Sequence, residues 1–300
     1  MASDAAHKWF ATPGPLTDAS GYDIGLTLDA PIRRIVEQVV AIVQGLLIYD
    51  LVAQPFYGVD IAPDRSIDEI NFRNVRDILE RVLELSNQPL CAARSPNAKV
   101  CARCHNYTKL TVSLLRLLGI PARSRCGFGS YFVANMFEDH WVAEYWNAAE
   151  SRWVMVDAQL DDAWRGMIEF GGDPFDLTGE EFVIAGRAWQ RWRADELDAS
   201  RYGLSAISEH GAHWIAGNLR LDFAALNKIE MLPWDVWGVR WPPNQAVPQD
   251  VSVFDAMSSL AADPDANLAA IRSMYATDER VRMPGTVFNV LRQALETVEL

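Results

Sequence analysis

The segment from residue 99 to residue 160 sets the strongest limit on what this chain can fold into. Apolar residues recur at spacings of three and four after Cys104, which predicts a helix over about residues 102–118. Gly119 and Pro121 then form a helix stop. Three runs rich in aromatic and β-branched residues follow, and they predict strands over Ala122–Phe132, His140–Trp146 and Arg152–Leu160.

The rest of the chain is mostly helical in pattern. Two helices are predicted ahead of this segment, over Ile32–Ala53 and Ile67–Leu85, and the helical pattern returns after Trp164. We therefore predict a core domain with amino-terminal helices over residues 1–165, and a mainly helical accessory region over residues 166–300.

The charge balance excludes one class of partner. The chain has 27 Lys and Arg against 40 Asp and Glu, a formal charge of −13, and no basic run long enough to follow a phosphate backbone. We therefore expect no nucleic-acid partner.

The sequence shows no sign of export or of a membrane span. The first residues lack the pattern of a signal peptide, and polar residues interrupt the most apolar stretch, Ile35–Val52. We expect a cytoplasmic protein with no membrane partner, while the oligomeric state stays open.

Two of the four cysteines and one of the five histidines lie in the pentapeptide Cys101-Ala102-Arg103-Cys104-His105. Cys104 falls in the first turn of the predicted helix. Unpaired backbone N–H groups and the helix dipole at that position favour a thiolate over a thiol. Cys104 is therefore a candidate nucleophile. For Cys91, Cys101 and Cys126 we expect small buried or half-buried thiols.

The same pentapeptide allows other interpretations. Its Cys-x-x-Cys-His spelling matches a c-type haem attachment site, but that site requires export. A structural zinc site that uses Cys101 and Cys104 lacks a second closely spaced pair of ligands. A thioredoxin-like redox pair needs a preceding βαβ unit, whereas helices precede this one. We therefore expect no metal and no cofactor.

A register argument links the last two predicted strands. If residues 147–151 form the turn of an antiparallel hairpin, residues that face each other have numbers that sum to about 297 or 298. His140 and Asp157 sum to 297, so we expect them to face each other. The carboxylate of Asp157 would then hold one imidazole nitrogen of His140.

These residues resemble the transglutaminase-like superfamily. The resemblance lies in Cys104 at a helix start, the run LLRLLGIPAR at 114–123, His140 in DHWVAEYW and Asp157 in WVMVDAQL. It covers roughly residues 35–162, and the order Cys, His, Asp is also that of the family. One departure is Ala102, where the family usually has glycine.

The resemblance implies an α+β fold with a papain-like core, in which the helix with the cysteine packs on an antiparallel sheet. It also implies a catalytic triad of Cys104, His140 and Asp157. The function that we expect is amide hydrolysis or acyl transfer through a thioester on Cys104, with a peptide, protein or small amide as substrate. A non-catalytic binding module on the same fold is the alternative.

Tryptophans suggest where the substrate lies. Ten of the eleven occur from Trp141 onward. Most of these rings are expected in the core. Our hypothesis is that some of them, Trp141 and Trp237 among them, form a wall of the substrate cleft, and that residues 166–300 shape or cover the site.

Overall fold

The structure, a computed structural model, describes residues 2–239, 241, 247–248 and 251–300. The chain forms two compact units. The cysteine unit, which contains Cys104, consists of His7–Ser124 and Val142–Leu177. The histidine unit, which contains His140, consists of Met1–Ala6, Arg125–Trp141 and Thr178–Leu300. The predicted division near residue 165 followed composition, and it stays a prediction.

The cysteine unit combines helices with short strand pairs. Its helices are α1 (Ala2–Phe10) from His7 onward, α2 (Ile32–Leu46), α3 (Ala53–Tyr57), α4 (Pro63–Glu69), α5 (Val75–Leu85), α6 (Cys104–Leu117) and α7 (Asp162–Met167). Its strands are β1 (Leu47–Tyr49), β2 (Val100–Ala102), the start of β3 (Ala122–Gly129), the end of β4 (Phe137–Asn147) and β5 (Arg152–Val156). Strand β1 pairs parallel to β2, and β4 pairs antiparallel to β5.

Helix α6 runs through the core of the cysteine unit. Every side chain from His105 to Arg116 is buried, so the helix packs on all its faces and not on one apolar stripe. Its buried cations bind backbone oxygens: Lys109 Nζ donates to Phe72 O at 3.0 Å, and Arg116 Nε donates to Ala122 O at 2.9 Å. Such bonds offset the cost of burying charge.

The end of α6 follows from two residues. Gly119 takes a φ of 73°, a left-handed conformation that suits glycine. The N–H of Ile120 then bonds to Leu115 O at 2.9 Å, and the N–H of Gly119 bonds to Arg116 O at 2.9 Å. These two bonds form a Schellman motif, which satisfies the last carbonyls of the helix.

The histidine unit carries the remaining elements. Its helices are α8 (Ala185–Arg193), α9 (Ala212–Leu226), α10 (Ser252–Ala261) and α11 (Pro264–Thr277). Its further strands are β6 (Phe182–Ile184), β7 (Tyr202–Leu204), β8 (Glu209–His210), β9 (Asp235–Val236), β10 (Thr286–Asn289) and β11 (Ala294–Thr297). Strand β6 pairs with the end of β3, β7 pairs with the start of β4, and β8 pairs with β7. Strands β11, β10 and β9 form a separate sheet in that order.

The α+β class is confirmed, while two helix predictions need correction. The helix predicted over Ile32–Ala53 ends at Leu46, because Leu47–Tyr49 pairs with β2 as a strand. The helix predicted over Ile67–Leu85 is two helices, α4 and α5, and the second begins where the Asn74 side chain caps the N–H of Arg76. Across the described residues, no helix combines the length and the apolar composition that a bilayer crossing requires.

The hairpin register is also different from the prediction. Asn147 pairs with Arg152 and Ala143 with Val156, so facing residues sum to 299. Four residues, 148–151, form the turn, and Ser151 takes a φ of 52° within it. Strand β5 ends at Val156, so Asp157 lies one residue beyond the described pairing with β4. The expected juxtaposition of Asp157 with His140 stays a prediction.

Candidate functional site

Cys104 is the first residue of α6. Cys104 is partly exposed to solvent, although every residue that follows it in the helix up to Arg116 is buried. The N–H of Arg103 donates to Asn106 Oδ1 at 2.9 Å, which fixes the turn into the helix. The backbone N–H of the first helical residue has no acceptor within the helix, so that of Cys104 can donate to an anion. The prediction that Cys104 lies in the first turn is confirmed.

The residue before Cys104 is held by a buried carboxylate. Arg103 donates two hydrogen bonds to Asp50, from Nε and from Nη2, each at 3.0 Å. Asp50 also accepts from Ser66 Oγ at 2.7 Å, and its side chain is only 3% exposed. A bidentate pair restricts the guanidinium in both distance and angle. The start of α6 is therefore fixed to the segment after β1.

A second buried carboxylate supports β2. Glu69 accepts from Arg65 Nε at 3.0 Å, from Arg81 Nε at 2.8 Å and from the backbone N–H of Cys101 at 2.7 Å. Although burial opposes its ionisation, these donors hold the pKa of Glu69 below its ordinary value. Glu69 thus stays negative beside Cys101.

Cys101 is a poor nucleophile in this setting. Only 1% of the residue is exposed to solvent. Burial, together with the negative charge of Glu69, raises the pKa of the Cys101 thiol far above its ordinary value. The thiol therefore stays protonated at neutral pH. The expectation of a buried thiol is confirmed for Cys101 and Cys126, whereas Cys91 is exposed.

Asp157 lies at the first position after β5. Its backbone N–H donates to Pro174 O at 2.8 Å, and its Oδ1 accepts the N–H of Gln159 at 2.9 Å. A carboxylate that accepts the N–H two residues ahead forms an Asx turn, which is why the strand ends here. The residue is 2% exposed, so its carboxylate is buried.

His140 lies on the part of β4 that belongs to the histidine unit. It is 2% exposed and is surrounded by aromatic rings. The ring centroid of Phe132 is 4.8 Å from that of the imidazole, that of Tyr131 is at 6.1 Å and that of Phe182 is at 6.3 Å. These edge contacts restrict rotation of the imidazole.

The two residues before His140 anchor its strand. Glu138 accepts the backbone N–H of Ser205 at 2.9 Å and also the Ser205 hydroxyl. On the other face of β4, Asp139 accepts from Asn218 Nδ2 at 2.9 Å, and the same amide donates to Gly127 O at 3.1 Å. The strand is therefore fixed on both faces immediately before His140.

Asp139 makes stability depend on pH. Burial raises its pKa from 3.8 to about 6, against the opposing effects of the Asn218 hydrogen bond and the charge of His140. The folded chain thus holds this proton more tightly than the unfolded chain, so its contribution to stability is lost as pH rises from about 4 through about 6.

We expect Asp139→Asn to stabilise the protein at pH 7.5 and to change little at pH 4. A pKa of about 6 against 3.8 corresponds to about 3 kcal/mol, which is the upper limit of the gain in unfolding free energy. Urea denaturation of both proteins at the two pH values measures the difference. Asp60→Asn, at an exposed position, serves as the control. An effect of equal size at both pH values would contradict the assignment.

The two tryptophans expected at the substrate are buried. Trp141 is 1% exposed and Trp237 is 4% exposed. The indole Nε1 of Trp237 donates to Val281 O at 3.1 Å, and the guanidinium of Arg220 lies 4.4 Å from the ring centroid. This environment favours a packing role for Trp237 within the histidine unit.

The described residues contain no grouping of three or more His, Cys, Asp or Glu side chains that could hold a metal ion. The structure therefore gives no support to the zinc interpretation of Cys101 and Cys104 within the part of the chain that it describes. Sequence reasoning did not find Asp50 or Glu69, because Arg103 and Cys101, which they hold, lie 53 and 32 positions away. It also missed the rings of Tyr131 and Phe132 at His140, because their contact depends on the conformation of the loop between β3 and β4.

Comparison with known proteins gives one match. Residues 84–158 match the family model of the transglutaminase-like superfamily. No curated protein and no solved structure matches the chain. The matched residues contain Cys104, His140 and Asp157, and the mixed α+β structure has a sheet consistent with a transglutaminase-like core.

Proposed function

We propose that the chain is a cysteine enzyme that either hydrolyses amides or transfers their acyl groups to an amine. The premise is that residues 84–158 form a transglutaminase-like domain. Cys104 is the nucleophile, His140 is the general acid and base, and Asp157 positions His140. The substrate is a peptide, a protein or a small amide. The observation that carries this proposal is the contrast between a partly exposed Cys104 at a helix N-terminus and a buried, protonated Cys101 three residues earlier.

In the first half of the reaction, Cys104 Sγ attacks the carbonyl carbon of the amide while the thiol proton passes to His140. The backbone N–H of Cys104 stabilises the resulting oxyanion. The carbon–nitrogen bond then breaks, and His140 gives the proton to the leaving nitrogen. An acyl thioester remains on Cys104.

In the second half, water or an amine attacks the thioester carbonyl and gives a proton to His140. The carbon–sulfur bond breaks, and the proton returns to Cys104 Sγ. Water gives hydrolysis, and an amine gives acyl transfer. Asp157 accepts a hydrogen bond from the imidazole, which selects the tautomer that can act as a base.

Alkylation by iodoacetamide tests the nucleophile directly. We expect Cys104 to react at pH 6.5 at least about tenfold faster than the exposed Cys91, and to lose this advantage in His140→Ala. Mass spectrometry of digested protein gives the rate at each cysteine, so Cys91 is an internal reference in every sample. His210→Ala, a change at a histidine that is partly buried and lies on β8, is the control for loss of an imidazole and should leave the rate at Cys104 unchanged.

The outcome decides between the proposed enzyme and its alternative. If Cys104 reacts no faster than Cys91, or equally fast with and without the His140 imidazole, the catalytic assignment is wrong. A binding module on the same fold would then be the better interpretation. If iodoacetamide alkylates Cys101 and Cys104 together, and only after a chelator has been added, the pentapeptide is a metal site.

A further inference from the structure

The loop between β3 and β4 brings two aromatic side chains to His140. Tyr131 and Phe132, which we call the aromatic wall, pack against each other with ring centroids 4.6 Å apart. Both residues are partly exposed, and their rings flank an imidazole whose residue, His140, is itself buried. The aromatic wall therefore has one side against His140 and part of its surface open to a ligand.

The loop is fixed in this position at three points. Ser130 donates from Oγ to Glu180 O at 3.0 Å and from its N–H to Glu181 O at 2.9 Å. At the other end, Arg201 Nε donates to Asn135 O at 2.7 Å. At the end of β3, just before Ser130, a Cβ on Gly129 would lie only 2.9 Å from the Phe132 ring. The glycine therefore allows the rings to pack on the backbone, and the wall is preformed.

The wall is uncharged. Residues 130–136 read Ser-Tyr-Phe-Val-Ala-Asn-Met, without an acid or a base, in a chain of charge −13. The nearest acidic residues along β4 are already engaged, Glu138 by Ser205 and Asp139 by Asn218. A neutral, apolar ligand group fits such a surface better than an ammonium or a carboxylate.

We propose that the aromatic wall is the subsite for an apolar or aromatic group on the leaving-amine side of the substrate. This inference rests on the proposed function. Since His140 protonates the leaving nitrogen, the substituent on that nitrogen lies beside the imidazole. Phe132, at 4.8 Å, and Tyr131, at 6.1 Å, are then the side chains that this substituent meets. The substrate class is therefore an amide whose amine portion carries an apolar group.

Two chloroacetamides test the subsite without knowledge of the natural substrate. N-benzyl-2-chloroacetamide and N-methyl-2-chloroacetamide present the same electrophile, and only the group on nitrogen differs. In each reaction the bond between Cys104 Sγ and the CH₂ carbon forms, the carbon–chlorine bond breaks, chloride leaves, and the thiol proton passes to His140. Mass spectrometry gives the second-order rate constant at Cys104.

We expect the native protein to prefer the benzyl reagent by about tenfold over and above the ratio for free cysteine. Phe132→Ala should abolish that preference. The preference is a ratio of two rates in the same protein, so a general change in the reactivity of Cys104, caused by the lost contact with His140, cancels from it. Phe132→Leu, which keeps an apolar side chain of similar size, should retain part of the preference and guards against a folding defect. Val133→Ala is the matched control, because this neighbour is 41% exposed and should leave the preference intact.

The results distinguish a failure of the subsite from a failure of the proposed function. The subsite is overturned if the benzyl preference is absent or if it survives in Phe132→Ala. The proposed enzyme still stands in that case, provided that both reagents alkylate Cys104 rapidly. Slow alkylation by both reagents, equal to that of Cys91, overturns the proposed function and the subsite with it.

Discussion

In the Asp222→Ala variant we expect the free energy of unfolding to fall by about 3–5 kcal/mol. Asp222, on α9, accepts from Arg125 Nε and Nη2 at 2.9 Å each, and from the backbone N–H of Cys126 at 3.0 Å. The side chains of Arg125 and Asp222 are 2% and 0% exposed. Removal of the carboxylate leaves a buried guanidinium without its countercharge. Urea denaturation followed by tryptophan fluorescence measures the loss.

A double variant distinguishes a buried charge from lost packing. Arg125→Met with Asp222→Leu removes both charges and replaces them with apolar groups of comparable size. Since apolar groups can replace a buried ion pair at little cost, this variant should recover most of the lost stability. A double variant as unstable as Asp222→Ala would show that shape, and not charge, governs this position.

A second large loss of stability is expected in the cysteine unit. Arg123 Nε donates to Glu144 Oε2 at 2.6 Å, and the two side chains are 4% and 7% exposed. The Arg123 guanidinium also lies 3.9 Å from the centroid of a Trp153 ring. We expect Glu144→Ala to lower the unfolding free energy by about 3 kcal/mol or more, since the cation is left buried. Thermal and urea denaturation both measure this.

The same hairpin provides a matched control. Glu150 pairs with Arg152 Nε at 2.6 Å, but these side chains are 50% and 44% exposed. Water screens an exposed pair, so Glu150→Ala should cost about 0–1 kcal/mol. If both variants lost equal stability, burial of the Arg123 pair would not be the source of its effect.

The helix with Cys104 could be predicted because its signals are local. The spacing of apolar residues marks its length, and Gly119 marks its end, where the φ of 73° is one that glycine adopts readily. The strands after it were recognised by composition for the same reason. Their ends were less certain, since Asp157 ends β5 through a hydrogen bond to Gln159 that composition does not show.

The hairpin register could not be predicted from alternation alone. The expected sums were 297 and 298. The observed sum of 299 differs from 297, the sum for His140 and Asp157, by two residues, and a shift of two keeps every side chain on its original face. Alternation is therefore identical in both registers. Turn length decides between them, and the four-residue turn depends on hydrogen bonds from the N–H groups of Ala149 and Glu150 to Asn147 Oδ1.

The buried ion pairs could not be predicted either. Arg123 and Arg125 lie in a stretch that composition assigns to a strand, but hydropathy treats arginine as a surface residue. Asp222, the partner of Arg125, is 97 positions away in the sequence. Only the fold brings such charges together. The aromatic wall beside His140 was missed for another reason, because its contacts depend on a loop conformation that residue spacing does not show.

The parallel pairing of β1 with β2 bears on how the chain can be shortened. Cys101 and Ala102, just ahead of the nucleophile, pair with Ile48 and Tyr49. Glu69 accepts the N–H of Cys101, and Asp50 holds the side chain of Arg103. The four supporting residues, Ile48, Tyr49, Asp50 and Glu69, lie outside the matched segment 84–158. A recombinant fragment trimmed to the family match would therefore retain the cysteine but lose what holds its helix start, so the smallest expressible piece must extend upstream beyond β1.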